Sequence, residues 1–474
     1  MNIAFVSSEV FPYSKTGGLA DIAHFLPKGL IKHGNQVTLI TPYYKSISKY
    51  HHDMEFLGRK NIIMGGIETI VNFFILKKDD LDIVFIQNMH YFERDRFYGY
   101  NDDAERFTCF SYAALEVLQL LKNFPNILHL NDWQTGMIPY LLDTHYRHRN
   151  LNYYKLHTLL TIHNLEYQGT FDPYVSRFFN SDFNYSYIHF ERVNFLKAGI
   201  DRATKINTVS PNYKNEILTQ QYGFSLDGSL RNRSNDLVGI LNGIDEDTFN
   251  PKVDDYIYKY DIKTYKKGKF ENKRQLYELH NLNHDLNKPL VAYVGRYANQ
   301  KGVWMIKDTL EEIIQTTDAN FFLLGSGDPY YENYFKYLTD KYPDRVGNYA
   351  GYNESLAHLI YAASDIFMMP SEFEPCGLGQ MIAMKYGSLP VVRETGGLKD
   401  TVEPYNMFTK SGTGFSFANL SSNEFKSKLL EAIHLYEENP DDFNKLIQQA
   451  MHKDYTNDKM ALTYIELYKN ILGG

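Results

Sequence analysis

Apolar positions along the chain fall into short runs separated by stretches with helical spacing. IAFVS (Ile3–Ser7) opens the series. Leu19, Ile22, Ala23, Leu26 and Leu30 follow at spacings that predict one buried helical face, ended near Gly34. QVTLIT, LDIVFI, NILHL (126–130), LLTIHN (159–164) and KINTVS (205–210) continue the alternation. Aliphatic and β-branched runs with helices between them predict a mainly parallel sheet covered on both faces.

The pattern breaks at 245–289, a polar connection without long apolar runs, and then restarts. LVAYVGR (290–296), NFFLLGSG (320–327), SDIFMMPS (364–371) and GSLPVV (387–392) read as a second set of buried strands. Two α/β units are therefore expected, one over 1–245 and one over 246–457. MALTYIELYKNIL (460–472) has the apolar spacing of a closing helix.

Composition narrows the function. A chain of 474 residues is long enough for two or three cores. A net charge of −8 with no basic run argues against general nucleic-acid binding. Two cysteines, Cys109 and Cys376, exclude a disulfide framework and a Cys-type metal cluster, and fit a reduced, cytoplasmic setting. No segment approaches eighteen uncharged apolar residues, so no membrane span is expected.

Unusual residues gather where strands end, the place at which open α/β sheets bind ligands. SKTGGLAD (14–21) follows the first strand. Lys15 offers a point charge there, and Gly17 and Gly18 let backbone amides approach an oxyanion. Read alone, the same stretch is a turn with a solvated lysine. Its near-copy, RETGGLKD (393–400), brings Thr395 and Gly396 after a strand of the second unit. VGRYANQKG (294–302) places Arg296 and Lys301 where a fork of donors and a compact charge can neutralise a diphosphate. MPSEFEPCGLGQ (369–380) sets Glu372 and Glu374 ahead of a helix start, where the amides of Cys376, Gly377 and Leu378 are expected as donors. NDWQTG and TIHNLEYQG end strands of the first unit and present Asn131, Asp132, His163 and Asn164; GILNGID presents Asn242 at a turn.

Taken together, these segments resemble bacterial glycogen synthases and plant starch synthases from the first strand to the last helix. The resemblance implies the GT-B fold: two Rossmann-like, doubly wound domains facing a central cleft, with the C-terminal helix (458–474) crossing back to the first domain. It implies a retaining glucosyltransferase that moves glucose from ADP-glucose to the nonreducing 4-OH of an α-1,4-glucan, with no metal and no other cofactor. Arg296 and Lys301 match the pair on the leaving diphosphate. Lys15, Gly17 and Gly18 match the first-domain loop at donor phosphate and sugar, and Thr395 and Gly396 the second-domain loop near the phosphates. His163 matches the contact to the transferring glucose, and Glu374 the essential carboxylate beside it. Cys376, Gly377 and Leu378 match amides on sugar hydroxyls, while Asp132 and Asn242 line the same pocket. MHYFERDRFYGY (89–100) resembles the acceptor region, with Tyr91 as the expected stacking ring.

Three positions depart from common patterns. Gln134 stands where many relatives carry His, Glu372 where a neutral or basic residue is frequent, and Ile382 where an E-x7-E motif would place its second acid. A GT-B transferase with another acceptor, a noncatalytic glucan-binding relative and a nucleotide-sugar epimerase are the alternatives.

Overall fold

The computed structural model describes residues 1–180, 184–283 and 285–473. The chain divides into two units, Met1–Asn242 with Asn457–Gly474, and Gly243–Thr456.

The first unit is built on a nine-stranded sheet. Its strands are β1 (Asn2–Val6), β2 (Gln36–Pro42), β3 (Glu55–Met64), β4 (Ile67–Lys78), β5 (Leu81–Gln87), β6 (Ile127–Asn131) and β7 (His157–Ile162), with β11 (Lys205–Thr208) and β12 (Leu237–Gly239). Three short strands, β8 (Thr170–Phe171), β9 (Ile188–His189) and β10 (Arg192–Asn194), form a separate sheet. The order in the large sheet is β12-β11-β7-β6-β1-β2-β5-β4-β3. All pairs from β12 to β5 are parallel.

The exception to the parallel expectation is the β3–β4 hairpin, which runs antiparallel and pairs antiparallel with β5. Its cause is local: Gly65 and Gly66 both sit at positive φ (58° and 77°), which supplies the two-residue turn whose twist matches a hairpin.

The predicted first helix spans Gly18–Lys32. It packs on the C-terminal helix Asn457–Leu472, closely enough that a Cβ at Gly29 would lie 2.8 Å from the Ala461 Cβ. Two buried hydrogen bonds fasten that last helix to the sheet. Asn207 Nδ2 donates to Tyr464 Oη (2.7 Å), and His129 Nδ1 meets Tyr468 Oη at 2.7 Å.

The second unit holds β13 (Leu290–Val294), β14 (Asn320–Gly325), β15 (Val346–Ala350), β16 (Ile366–Met369), β17 (Leu389–Arg393) and β18 (Phe415–Phe417). They form one parallel sheet in the order β15-β14-β13-β16-β17-β18. This is the Rossmann order, with its reversal between β13 and β16. The polar connection before β13 is more structured than its composition suggests. It contains the helix Tyr265–His280, whose buried face carries Tyr265, Lys269, Asn272, Lys273, Leu276 and Tyr277. Lysines on that face hide it from a reading based on apolar spacing.

Candidate functional site

In the first unit most candidate residues follow three neighbouring strands, β1, β6 and β7. After β1 the chain makes a tight loop closed by Val10 and Ser14. Glu9, almost fully buried, accepts from the Thr16 amide (2.5 Å) and the Thr16 hydroxyl (2.6 Å), which fixes the start of the TGGL segment. The Tyr98 hydroxyl also donates to Glu9 (2.7 Å), and Ser8 lies 2.8 Å from the same oxygen. Lys15 pairs with Asp21 at 2.7 Å. That pair is one reason an acid follows this TGGL. Gly17 is extended and Gly18 begins the helix; neither would meet a heavy atom within 4 Å if it carried a Cβ.

After β6, Asp132 takes a positive φ of 57°, an unfavourable conformation for a non-glycine residue, and accepts from the His163 amide at 2.7 Å. Burial pushes its carboxyl up to about 7, opposed by the backbone amides of His163 and Asn164. Asn131 Nδ2 donates to the Val6 carbonyl (2.9 Å), so its Oδ1 accepts from His163 Nε2 (2.9 Å). His163 therefore carries its proton on Nε2 and keeps Nδ1 as an acceptor. Burial pushes its pKa down to about 3, which leaves the ring neutral at physiological pH. Asn242 follows β12, two strands beyond β7, and its Oδ1 is buried without a hydrogen-bond partner among the described residues.

In the second unit the candidates follow β13, β16 and β17, adjacent strands at the sheet's reversal point. Arg296 is exposed and bonded to Gln300 Oε1 (3.1 Å), with no carboxylate partner among the described residues. Lys301 Nζ contacts Glu374 Oε2 at 2.6 Å, and the Ser371 hydroxyl donates to the same oxygen (3.1 Å). Glu374 is only 6% exposed.

The second TGGL is packed where the first is open. Gly396 has φ 43°, and a Cβ there would fall 1.9 Å from the Glu374 carbonyl oxygen. The Gly397 amide donates to the Glu374 carbonyl (3.1 Å). Gln380 Nε2 donates to the carbonyls of Cys376 and Gly377, holding the turn that precedes the helix Gly379–Lys385. The amides of Cys376, Gly377 and Leu378 thus lie ahead of that helix, with Leu378 as its N-cap. Thr395 is buried as the N-cap of the next helix, Gly396–Thr401.

One residue assigned from the sequence is corrected. Tyr91 is 3% exposed, and its hydroxyl is bound to Glu105. A ring enclosed in the core has no face to offer a ligand, so Tyr91 is no stacking platform. In the same stretch Tyr98 is half-buried, tied to Glu9 and 6.5 Å from the Trp133 ring.

The three departures also find places. Ile382 is buried on the helix Gly379–Lys385, Glu372 accepts from Trp304 Nε1 (2.7 Å), and Gln134 is buried. Sequence reasoning named Asn131 without its partners and missed Glu9 and Arg393. Arg393 donates to the main-chain carbonyls of Ser371 and Glu372 and so braces the segment that carries Glu374. Among the described residues, no three His, Cys, Asp or Glu side chains are gathered to hold a metal ion, and no helix is long and apolar enough to cross a membrane.

Residues 2–232 match the starch synthase catalytic domain family, and residues 278–460 match the glycosyl transferases group 1 family. The chain is 61% identical to a glycogen synthase of Acholeplasma laidlawii over 475 residues, covering 100% of this chain and 99% of that protein. It is 42% identical to a glycogen synthase of Clostridium novyi, covering 100% and 99% respectively. Among solved structures, the catalytic domain of starch synthase IV from Arabidopsis thaliana, bound to ADP and acarbose, superposes with a TM-score of 0.91. Its identity is 33%, with 100% of this chain and 99% of that one covered. The expected fold class is met: the two Rossmann-like units are those of a GT-B glycosyltransferase, and the chain belongs to the glycogen and starch synthase family.

Proposed function

We propose that the protein elongates glycogen in the cytoplasm, transferring glucose from ADP-glucose to the nonreducing 4-OH of an α-1,4-glucan with retention at the anomeric carbon. The observation that carries this reading is the cluster at the second unit's reversal point. There, Arg296 has no carboxylate partner among the described residues, and Lys301 is held against the buried Glu374.

In this reading Arg296 and Lys301 take the charge that develops on the departing ADP, the guanidinium as a fork and the ammonium as a point charge. The amides of Gly17 and Gly18, with Lys15, hold phosphate and sugar oxygens. Thr395 and Gly396 border the phosphates. Glu374 and the amides of Cys376, Gly377 and Leu378 orient the glucose hydroxyls, and Asn242 is assigned to substrate binding as well. The neutral His163 contacts the transferring glucose, and its carbonyl steadies the positive ring. The acceptor oxygen attacks from the face the diphosphate leaves, and that diphosphate receives its proton. No divalent metal is needed, because the two cations neutralise the leaving group.

The test is a matrix of donors (ADP-glucose, UDP-glucose) and acceptors (glycogen, maltooligosaccharides, monosaccharides), measured with and without EDTA. Incorporation from ADP-glucose into glycogen, unchanged by EDTA, is expected. Failure of every nucleotide-glucose with every glucan would refute the reading.

Two further outcomes follow from the first unit. Asp132→Ala removes the acceptor that holds the His163 amide and puts Ala at positive φ, so kcat falls about 10²-fold. Asp132→Asn keeps an oxygen acceptor and stays within about tenfold of wild type. Because His163 titrates near 3, neither kcat profile steps at the ordinary imidazole pKa between pH 5 and 8. Gly17→Ala leaves thermal stability within about 0.5 kcal/mol, since its backbone is extended and its surroundings empty. It raises KM for the donor about tenfold, roughly 1.4 kcal/mol, by holding phosphate off the amides.

A further inference from the structure

The second unit contains a cavity of about 510 Å³ lined by none of the candidate site residues. Its walls are one face of the helix Tyr265–His280, the loop 285–288, and residues from 436 to 447. It lies at the opposite end of the strands from the second unit's catalytic candidates. Asp365, on its floor, precedes β16 and accepts from the amide of Leu290, the first residue of β13. Arg296, Lys301 and Glu374 all come after these strands' far ends.

The floor is cationic. Lys269 and Lys273 are 5% and 3% exposed. Lys273 has a counter-ion, Asp365 (2.7 Å). Lys269 has no carboxylate partner among the described residues; its ammonium donates to the main-chain carbonyls of Ala362 (3.2 Å), Ser364 (2.6 Å) and Tyr386 (3.1 Å). Two buried ammonium groups thus share one carboxylate. Desolvation drives the Lys269 pKa down to about 7, with Asp365 opposing and Lys273 reinforcing the shift. At the rim, Lys266 is exposed and has no partner among the described residues. Lys288 is engaged by Asp318 and Glu437. The walls between floor and rim combine rings and aliphatic groups (Phe270, Tyr436, Phe443 and Ile447) with the carboxylates of Asp285 and Glu437.

A slot with aromatic walls on one side, an under-compensated cation at its base and a cation at its mouth that has no partner among the described residues suits one chemical class. We propose that this cavity binds a small organic anion, a carboxylate or phosphate monoester with a flat or apolar body. Its charged group takes the N–H donors of Lys266 and supplies the floor with the negative charge it lacks. Its body lies on Phe270 and Phe443. Lys269 is a long-range partner here, because its three donors are already committed to carbonyls. The titratable groups facing it are Lys273 and Asp365 on the floor, Lys266, Lys288, Asp285, Glu437, Tyr265 and Tyr436 around the walls, and Tyr260, whose hydroxyl donates to the same Tyr386 carbonyl. A bound anion favours the protonated form of Lys269, so binding at pH 8 takes up protons.

The test is calorimetry on the full chain, saturated with ADP so that the proposed diphosphate site is filled. The probes are phenyl phosphate, benzoate and, as a body-less control, inorganic phosphate. Expected are binding of phenyl phosphate and benzoate, at least tenfold weaker binding of inorganic phosphate, and proton uptake at pH 8 seen in buffers of differing ionisation heat. Lys266→Ala, a surface change that leaves the core intact, weakens both organic probes at least tenfold, and Lys269→Met abolishes the proton uptake. Should Lys269→Met fail to fold, Phe270→Ala, at an exposed ring, weakens phenyl phosphate at least tenfold without affecting inorganic phosphate. Absence of binding, indifference of both organic probes to Lys266→Ala, or loss of binding as ADP is raised would each overturn the proposal. None of these results depends on glucosyl transfer, so the outcome is separable from that of the activity matrix.

Discussion

Lys301→Ala is expected to lower kcat about 10³-fold, the size associated with losing a positioned charge at a developing anion. It also carries a folding cost. Glu374 is buried, and without the ammonium at 2.6 Å it keeps, among the described residues, only the Ser371 hydroxyl. Removing one partner of a buried pair costs about 3–5 kcal/mol where solvent is fully excluded. The lysine side chain is 20% exposed, so about half that is expected here. The two effects separate in Lys301→Met/Glu374→Gln, which removes both charges. Its melting temperature returns toward wild type while its activity stays lost. Steady-state assays and thermal melts on the three proteins decide the matter. Wild-type kcat in Lys301→Ala would remove this lysine from the reaction.

Gly396→Ala is expected to destabilise the second unit by more than 4 kcal/mol, or to prevent its folding. The substituent would sit 1.9 Å from the Glu374 carbonyl oxygen, a backbone atom that cannot swing aside, and φ is 43°. The segment 374–376 would have to shift, so any protein that folds also loses catalytic geometry. The contrast with Gly17→Ala is sharp. One TGGL needs glycine to fit against its own unit; the other has room for a side chain and gains nothing structural from lacking one. A melt and a far-UV spectrum on the two variants check the difference.

The alternating strands were legible because buried parallel strands read as uninterrupted apolar runs, as in LVAYV and NFFLL. The β3–β4 hairpin was not, since its edge strand carries exposed apolar residues such as Phe56 and Ile63 beside polar ones. Loops after strands could be located from the sequence, and the residues in them named. What holds those loops could not. Glu9 meets Tyr98 and Asn131 meets His163 across 89 and 32 residues of chain. No local pattern records such pairings. Tyr91 fails for the same reason: it and Tyr98 share one polar stretch, and only packing decides which ring is enclosed.

The C-terminal helix has a consequence for synthesis on the ribosome. Gly243–Thr456 forms one unit from an unbroken stretch, whereas the first unit also needs Asn457–Leu472. The unit translated first is therefore the one that must wait. Until the last turns of chain emerge, His129 and Asn207 lack Tyr468 and Tyr464, and the face of the helix Gly18–Lys32 at Gly29 stays uncovered. A nascent chain stalled late in translation would expose apolar surface near its beginning, while the part made afterwards could already be folded.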